Sequence, residues 1–464
     1  MTEEKTRIKL EGQKAINLWQ KGKDEWNQWV KENPEADVSF EGVGFSKYRT
    51  KDRPVISFEN FNFPKGYVDY SKTTFGAGEV NFNNATFGGG KVDFSNVTFG
   101  DGNTCFIRVT FGTGKVDFNH AKFGNGGVSF YKVSFGDGDV NFRYTSFGAG
   151  EVNFNFASFG DGYVSFGHAT FNDGGVTFEG TTFGDGRLFF EGTTFGEGTV
   201  NFANATFGVG VLAFHQTTFH SKAITFTPCK FKGQVIFDNC EFTDNLKEFT
   251  FQNAQFEDAL TLQNMNVPCP IDFRNTKLSN QLSLDGLTCR LNRKREKGFE
   301  IIEDKEDIHR FTRLKELAES NKAHEQAMAF HADEQRAKRW VKTGFFGSLM
   351  DMVFSEASNY GQSVMRPAFY FITSILIFAS LYCGMADKEH QHPNEKVSLV
   401  LTVSLANSVP FLSINKNTKE YLLPKLFDKP KLHKKLYWLM GTQALISMML
   451  LFLIGLGLRN RFRI

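Results

Sequence analysis

The sequence predicts a mainly β chain: a β-helix solenoid of 12-residue units, followed by an α-helical connector and transmembrane α-helices. A phenylalanine returns at every twelfth position from Phe75 to Phe219, and a second series runs from Phe82 to Phe214. Gly-x-Gly recurs at the same period, and two long apolar runs lie near the C-terminus. One repeated unit, stacked on itself, therefore dominates the chain.

The unit from Phe75 to Phe87 shows why the repeat is a pair of strands. Val80 and Phe82 can share one face of an extended backbone, as can Ala85 and Phe87, whereas a helical period does not fit this spacing. The glycines of each Gly-x-Gly corner supply either a positive φ or a close backbone approach. Two units would make a four-sided coil of about 24 residues, and about ten coils would stack roughly 4.8 Å apart.

The segments Ala85-Thr-Phe87 and Val92-Asp-Phe94 resemble the pentapeptide-repeat signature, in which the small and the large residue both point inward. The resemblance covers about residues 38–290 and implies a right-handed quadrilateral β-helix, with each 12-residue unit a double pentapeptide. The Gly-x-Gly insertion in every second pentapeptide departs from that pattern. It favours an elongated cross-section over a square one.

Residues 1–37 are predicted to form a helical cap on the first coil. One amphipathic helix is expected over residues 5–32, ending at Asn33-Pro34, because apolar residues fall at near-helical spacing in a charged stretch. These residues are Ile16, Trp19, Trp26, Trp29 and Val30. A tryptophan-lined ligand site is the alternative to a cap.

The distribution of charge and the cysteines indicate the cellular compartment of the predicted solenoid. Counting Lys and Arg against Asp and Glu gives −1 for residues 1–37, −5 for residues 38–290 and +8 for residues 291–464. Residues 1–30 are charged throughout and carry no export signal, which predicts a solenoid in the cytoplasm. Cys105, Cys229 and Cys240 are expected to be reduced core residues. No metal-ligand spacing is present, so neither a metal nor a cofactor is predicted.

Residues 291–364 are interpreted as a helical connector, with two polar helices within residues 300–342 and a turn at Asn321. This segment resembles the connector of some membrane-bound pentapeptide-repeat proteins. The basic run over residues 290–297 is interpreted as a solvated linker or a contact to lipid headgroups. The −5 charge of residues 38–290 is too weak for mimicry of DNA, and nucleic-acid binding is not favoured.

Residues 365–464 are predicted to be a membrane domain, with helices over 367–386 and 436–458, each long enough to span about 30 Å of hydrocarbon. Residues 397–414 are apolar but shorter, and are interpreted as a re-entrant segment or a short third span. Polar side chains and a proline at membrane depth are tolerated where they line a cavity. The candidate pore residues are therefore Ser404, Asn407, Ser408, Pro410 and Phe411.

The order of helix, re-entrant segment and helix resembles a two-transmembrane ion-channel module. That resemblance implies a multi-pass protein of the bacterial inner membrane. No Thr-Val-Gly-Tyr-Gly filter follows the third segment, so ion selectivity stays open. Counting basic residues gives almost a tie for two spans and favours three spans. The polar residues of 397–414 favour two.

No catalytic motif is found, so an enzyme is not predicted. In a coil of about 24 residues, Asp137, Asp161 and Asp185 would stack about 5 Å apart along one edge. They are either solvated or hold a cation or a basic partner.

Two functions are compatible with the sequence. In the first, the chain is a subunit of a homo-oligomeric ion channel in the lipid bilayer. Its cytosolic β-helix, or the connector, binds a protein or small-ligand regulator and gates the pore. In the second, the helices only anchor a β-helical scaffold that binds other proteins.

Overall fold

The computed structural model describes residues 7–296, 298–386, 393–409, 411–427 and 434–462. The chain divides into two compact units, Met1–Glu334 and Gln335–Ile464. The first unit is a β-solenoid with helices at its two ends. The second consists of helices.

The solenoid is built from parallel sheets. The longest contains 12 strands, which are Lys9–Glu11, Asp37–Ser39, Val68–Asp69, Val92–Asp93, Val116–Asp117, Val140–Asn141, Val164–Ser165, Leu188–Phe189, Leu212–His215, Val235–Asp238, Leu260–Gln263 and Leu282–Ser283. A second contains ten, which are Ile56–Ser57, Val80–Asn81, Thr104–Cys105, Val128–Ser129, Val152–Asn153, Val176–Thr177, Thr199–Asn201, Ala223–Thr225, Glu248–Thr250 and Ile271–Asp272.

Shorter sheets complete the other sides. One contains Thr98–Gly100, Lys122–Phe123, Ser146–Phe147, Thr170–Phe171, Thr194–Phe195, Thr218–Phe219 and Glu241–Phe242. Another contains Ser158–Phe159, Thr182–Phe183, Thr206–Phe207, Lys230–Phe231, Gln255–Phe256 and Lys277–Leu278. Asn266–Val267 pairs with Thr288–Cys289 in parallel, and Arg293–Glu296 pairs with Phe299–Ile302 as an antiparallel hairpin.

The register confirms the predicted coil of two units. Val128 pairs with Val152, and Val152 pairs with Val176. The 12 strands of the longest sheet mark about 12 coils, more than the ten predicted. The difference arises because the strand Lys9–Glu11 pairs with Asp37–Ser39 ahead of the expected start, and because the coils shorten near the end, where Leu260 pairs with Leu282.

The inward rings form four continuous columns, one for each side of the coil. In one column, Phe154 stacks between Phe130 at 4.7 Å and Phe178 at 4.8 Å. Rings of neighbouring columns meet edge to face, as Phe142 and Phe154 do at 5.7 Å and 85°. Both arrangements are favourable for aromatic quadrupoles. The columns run from Phe58 to Phe273, from Phe40 to Phe237, from Phe45 to Phe242 and from Phe63 to Phe256.

The small inward position accepts Ala, Val, Thr or Cys. The Thr181 hydroxyl donates to the carbonyl of Phe154 at 2.8 Å, and the Cys229 thiol approaches the carbonyl of Phe202 at 2.9 Å. Burial raises the pKa of Cys229 and Cys240 to about 12. All six cysteines are free thiols, and four of them are buried. The prediction of reduced core residues is confirmed for Cys229 and Cys240, whereas Cys105 is a free thiol that is only partly buried.

The Gly-x-Gly corners are required by the approach of one coil to the next. A Cβ atom added to Gly138 would overlap the carbonyl oxygen of Gly114, and one on Gly162 would overlap that of Gly138. Neither Gly138 nor Gly162 has a positive φ. The sequence left two roles open for these glycines. Close backbone approach is the role in most of the repeated corners, whereas the first corners also have a positive φ, at Gly76, Gly78 and Gly100.

The N-terminal cap differs from the single helix predicted over residues 5–32. Helix α1 is Gly12–Lys21 and helix α2 is Lys23–Glu32, separated at Gly22, whose φ of 100° interrupts the helix. The helices still cover the first coils. Trp19 Nε1 donates to the carbonyl of Ser57 at 2.9 Å, and Trp26 Nε1 donates to that of Asn62 at 2.7 Å.

The C-terminal end of the solenoid is covered by helix α3, Asp307–Ser320, and helix α4 is His324–Lys338. The predicted turn at Asn321 is confirmed, and its side-chain oxygen accepts from the backbone N–H of Leu282 at 3.2 Å. Phe311, Leu314 and Leu317 of α3 are buried in the same core as the phenylalanine columns. The basic run over residues 290–297 lies partly in the antiparallel hairpin rather than in a plain linker.

In its described residues, the second unit contains five further helices. They are α5, Phe345–Ser358; α6, Met365–Met385; α7, Pro393–Ser408; α8, Ser413–Leu426; and α9, Lys434–Arg461. Of the described residues, two helices, α6 and α9, are long and apolar enough to cross a membrane. The predicted segment 397–414 becomes α7, the following turn and the start of α8. Its 16-residue helix α7 rises about 24 Å, less than the thickness of the hydrocarbon.

Candidate functional site

Helices α6, α7 and α9 enclose a group of polar side chains, here called the amide cluster. Its members are Tyr382 of α6, Ser404, Asn407 and Ser408 of α7, and Gln443 of α9. Each is buried, with at most 3% of its surface exposed. Apolar side chains cover the cluster, among them Phe378, Val400, Val403, Leu422, Leu426 and Leu436.

Gln443 is the centre of the cluster because it contacts all four other members. Its Nε2 lies 2.8 Å from Ser404 Oγ and 3.0 Å from Ser408 Oγ, and donates to these hydroxyls. Its Oε1 accepts from the Tyr382 hydroxyl at 2.6 Å and from Asn407 Nδ2 at 3.0 Å. One amide therefore joins α9 to both α6 and α7.

Asn407 extends the cluster in two directions. Its Nδ2 donates to the carbonyl of Met440 at 2.9 Å, which is a second link from α7 to α9. Its Oδ1 accepts from the ammonium group of Lys419 in α8 at 3.2 Å. The cluster thus connects the short helices α7 and α8 to the two long apolar ones.

The hydroxyls of α7 are also satisfied. Ser404 Oγ donates to the carbonyl of Ile375 in α6 at 2.7 Å, and Ser408 Oγ donates to the carbonyl of Ser404 at 2.9 Å. A buried polar group without a partner costs roughly 1–3 kcal/mol. Since every member of the amide cluster has a partner, each fixes the position of the next.

Three of the five predicted pore residues, Ser404, Asn407 and Ser408, come together in this cluster. Phe411 lies apart from it with 69% of its surface exposed, and Pro410 lies outside the described residues. In a single chain the three polar residues face α6 and α9, and whether they line a pore stays a prediction.

Sequence reasoning missed Tyr382 and Gln443. The sequence does contain a signal for Gln443, because this amide lies within the apolar run of α9 and polar residues inside such helices are generally functional. Its partners are distant in sequence, so only the packing of the helices identifies them.

The outer side of α7 carries polar groups as well, interspersed with the exposed Val397 and Leu405. Glu395, Ser398 and Thr402 are exposed and are separated by three and four residues, which places them on one helix face. The Thr402 hydroxyl donates to the carbonyl of Ser398 at 2.8 Å. Helix α7 therefore presents polar groups both to its neighbours and away from them.

The predicted aspartate column forms, and its carboxylates bond to the backbone. Asp161 Oδ1 accepts from the N–H of Asp185 at 2.8 Å, and Asp185 Oδ1 accepts from that of Val209 at 3.1 Å. The Asp137 carboxylate lies against Gly160 of the next coil. Within the described residues, no three His, Cys, Asp or Glu side chains lie close enough together to hold a metal ion. These aspartates thus bind consecutive coils together.

A second surface feature lies on the outside of the solenoid and is here called the ring ladder: His120, Tyr144 and His168. Tyr144 stacks on His120 at 4.9 Å and on His168 at 5.0 Å, and Arg143 lies 5.5 Å from the Tyr144 ring centre. All three ladder residues have φ near +56°, which is the conformation that this turn position adopts in most repeats, as at Asn84 and Lys132.

No protein-family model, curated protein or solved structure matches this chain. Its function therefore has to be inferred from its own residues and contacts.

Proposed function

We propose that the chain is one subunit of a homo-oligomeric membrane pore, gated by a regulator that binds its cytosolic β-solenoid or the helices after it. The observation that carries the proposal is the two-sided polarity of α7. Its inner side holds the amide cluster, and its outer side exposes Glu395, Ser398 and Thr402. In a bilayer, exposed polar groups such as the Glu395 carboxylate favour water or another protein subunit over lipid.

Gating follows from the way in which α7 is held. Gln443 fixes α7 against α9 through hydrogen bonds to Ser404, Ser408 and Asn407. We assign this arrangement to the closed pore. Opening would move α7 so that water replaces these bonds, and a regulator would act by binding one of the two arrangements more tightly.

The compartment is part of the same proposal. The end of the second unit where α6 begins and α9 stops carries Arg366, Arg459 and Arg461. We assign this end, which follows the solenoid in the chain, to the cytoplasmic side of the bacterial inner membrane, where basic residues are favoured. The ring ladder is the surface of the solenoid best suited to a protein or small-ligand regulator, because its rings are stacked in fixed positions and the Tyr144 ring is exposed.

The deciding experiment is ion flux through liposomes that contain the full-length protein, compared with a chain ending at Gly361. Flux that requires the C-terminal helices is expected. Asn407→Leu and Ser408→Leu are each expected to change conductance while membrane insertion stays intact, whereas Leu376→Met, at an exposed position of α6, serves as the control. Unchanged currents in both variants would count heavily against the pore.

A membrane-anchored scaffold is the second candidate. It is favoured by one observation: the members of the amide cluster find their partners within one chain, so burial of these polar groups does not require an oligomer. Absence of flux from both the full-length protein and a chain lacking the solenoid, with both inserted, would favour the scaffold. Flux from the shortened chain alone would indicate a pore held shut by the solenoid.

A further inference from the structure

Helix α5, which precedes the first long apolar helix, exposes its apolar side. The exposed fraction is 79% for Phe346, 63% for Met350, 60% for Phe345 and 54% for Val353. The sequence analysis included these residues in the helical connector over residues 291–364 but predicted no separate helix for them. Contiguous apolar exposure of this kind marks a surface that another molecule or a membrane covers.

The opposite side of α5 is polar and packs inward. Asp351 accepts from Arg339 Nε at 2.8 Å and from the Tyr360 hydroxyl at 2.9 Å, and Ser348 Oγ accepts from the N–H of Trp340 at 3.0 Å. These contacts fix the rotation of the helix about its axis. The apolar side cannot turn inward without breaking them.

This arrangement reverses that of a helix on a water-soluble protein, which buries its apolar side. A helix with an apolar outer face and basic flanks is typical of one that lies in the plane of a membrane interface. The exposed side is also broad, so it needs an extended apolar environment rather than a single contact.

Helix α5 belongs to the basic end of the second unit. Asn460 Nδ2 of α9 donates to the carbonyl of Gly361, just ahead of α6, at 3.0 Å, which brings this end of α9 next to the start of α6. Basic residues surround that end before α5, after it and at the end of α9: Lys338, Arg339, Lys342, Arg366, Arg459 and Arg461. This basic collar matches the charge of acidic lipid headgroups.

A groove of about 500 Å³ lies between α5, α6 and α9. Its lining is mainly apolar, with Glu356 its charged member, and includes Leu349, Val353, Tyr370, Ile377, Ile446 and Leu450. An apolar groove between helices is suited to an apolar ligand such as an acyl chain. Acidic headgroups are the occupant that this end favours, because their charge is opposite to that of the basic collar.

We propose that α5 is an interfacial helix that inserts its apolar side into the leaflet at the basic end of α6 and α9, with an acyl chain of an acidic phospholipid in the groove. The inference rests on insertion of α6 and α9, as in the proposed function, but it does not require a pore.

The test uses nitroxide labels on the full-length protein in vesicles of phosphatidylethanolamine and phosphatidylglycerol. Cys105→Ser and Cys383→Ser first remove the native thiols that are not buried. Labels are then placed at Phe346→Cys and, separately, at Met350→Cys. Glu319→Cys is the water-exposed control, and Leu376→Cys on α6 reports membrane insertion independently.

Both α5 labels are expected to be several-fold more accessible to oxygen, relative to a water-soluble nickel complex, than the Glu319 label. Accessibility equal to that of Glu319, with the Leu376 label in lipid, would overturn the proposal while leaving membrane insertion intact. Low accessibility to both reagents with spin–spin broadening would assign the surface to a second copy instead. In phosphatidylcholine alone the α5 labels are expected to lie shallower, and equal depth in both vesicles would overturn the role of acidic headgroups.

Discussion

In the solenoid the large apolar side chains point inward and the polar ones outward, whereas the helices of the second unit expose apolar side chains and bury polar ones. Phe154 is completely buried in its column, and Gln443 is completely buried in the amide cluster. Few large apolar residues of the first unit are exposed, namely Ile8, Tyr144, Phe156, Tyr163, Val209 and Phe299. The second unit exposes them along α5, α6 and α9.

The difference teaches what holds each unit together. Burying apolar area from water stabilises the solenoid by about 25 cal/mol per Å². Where helices lie in lipid, as we propose for α6 and α9, that driving force is absent, and packing and interhelical hydrogen bonds supply the specificity. We therefore expect the first unit to be sensitive to loss of ring volume and the second to loss of hydrogen bonds.

The largest effect is expected from Phe154→Ala, which removes a ring stacked on both sides. Truncation of a buried phenylalanine should cost roughly 3–5 kcal/mol of the solenoid's free energy of unfolding. Phe156→Ala is the matched control, because Phe156 lies next but one in the chain with 51% of its surface exposed. Chemical denaturation followed by circular dichroism would measure both. Equal losses in the two variants would contradict the assignment of stability to the columns.

A smaller effect, about 2 kcal/mol, is expected from Gln443→Leu, because several interhelical bonds are lost and each contributes less than about 1 kcal/mol. Loss of these bonds should also raise ion flux if they hold the pore closed. Thr442→Val on the exposed side of the same helix is the control. Thermal unfolding in detergent and liposome flux would be measured on both. If the Gln443→Leu protein kept its stability and showed no rise in ion flux, the amide cluster would be excluded from gating.

Acid should weaken the C-terminal end of the solenoid by about 1–2 kcal/mol through loss of charge-assisted bonds. Burial favours the neutral acid of Asp272, but its bonds to Arg274 and the nearby Arg310 outweigh burial, so its pKa lies below 3.8. This contribution is complete above the unfolded pKa of 3.8 and is lost as pH falls through the lower folded pKa. Hydrogen exchange at α3, compared between acidic and near-neutral solution, would measure this loss of stability. Asp272→Asn should remove this pH dependence, and a variant that kept it would refute the assignment.

The smallest expected effect is an increase in the stability of the solenoid. Tyr70 is the one ring in its column, between Phe40 and Phe94, with a hydroxyl, and that buried oxygen has no hydrogen-bond partner within the described residues. Tyr70→Phe removes the unpaired group and should stabilise the solenoid by about 1 kcal/mol. Differential scanning calorimetry against Phe94→Tyr, which adds such a hydroxyl, would test the sign. A loss of stability in Tyr70→Phe would mean that the hydroxyl has a partner.

The regular part of the fold could be predicted from sequence because the period specifies it. Spacings of five and seven between phenylalanines predict a coil made of two units, and the register of Val128 with Val152 confirms it. The two long apolar helices could likewise be predicted from the length and composition of their segments. Their ends differ by only a few positions from the predicted 367–386 and 436–458.

What could not be predicted depends on contacts between distant residues. The strand Lys9–Glu11 is too short to show alternation and exists because it pairs with Asp37–Ser39. The break between α1 and α2 arises from the backbone conformation of Gly22, which an amphipathic pattern does not predict. The inverted polarity of α5 is invisible until its serines and Asp351 are seen to face inward.

The recurrence of the same four sides in every coil has a consequence for how such a gene can change. Because Phe130, Phe154 and Phe178 occupy equivalent places in successive coils, unequal recombination that gains or loses the codons of two units would add or remove one whole coil and leave the columns in register. Gain or loss of a single unit would instead exchange the two long sheets. Rod length is therefore free to vary in steps of about 4.8 Å while the two capped ends stay the same.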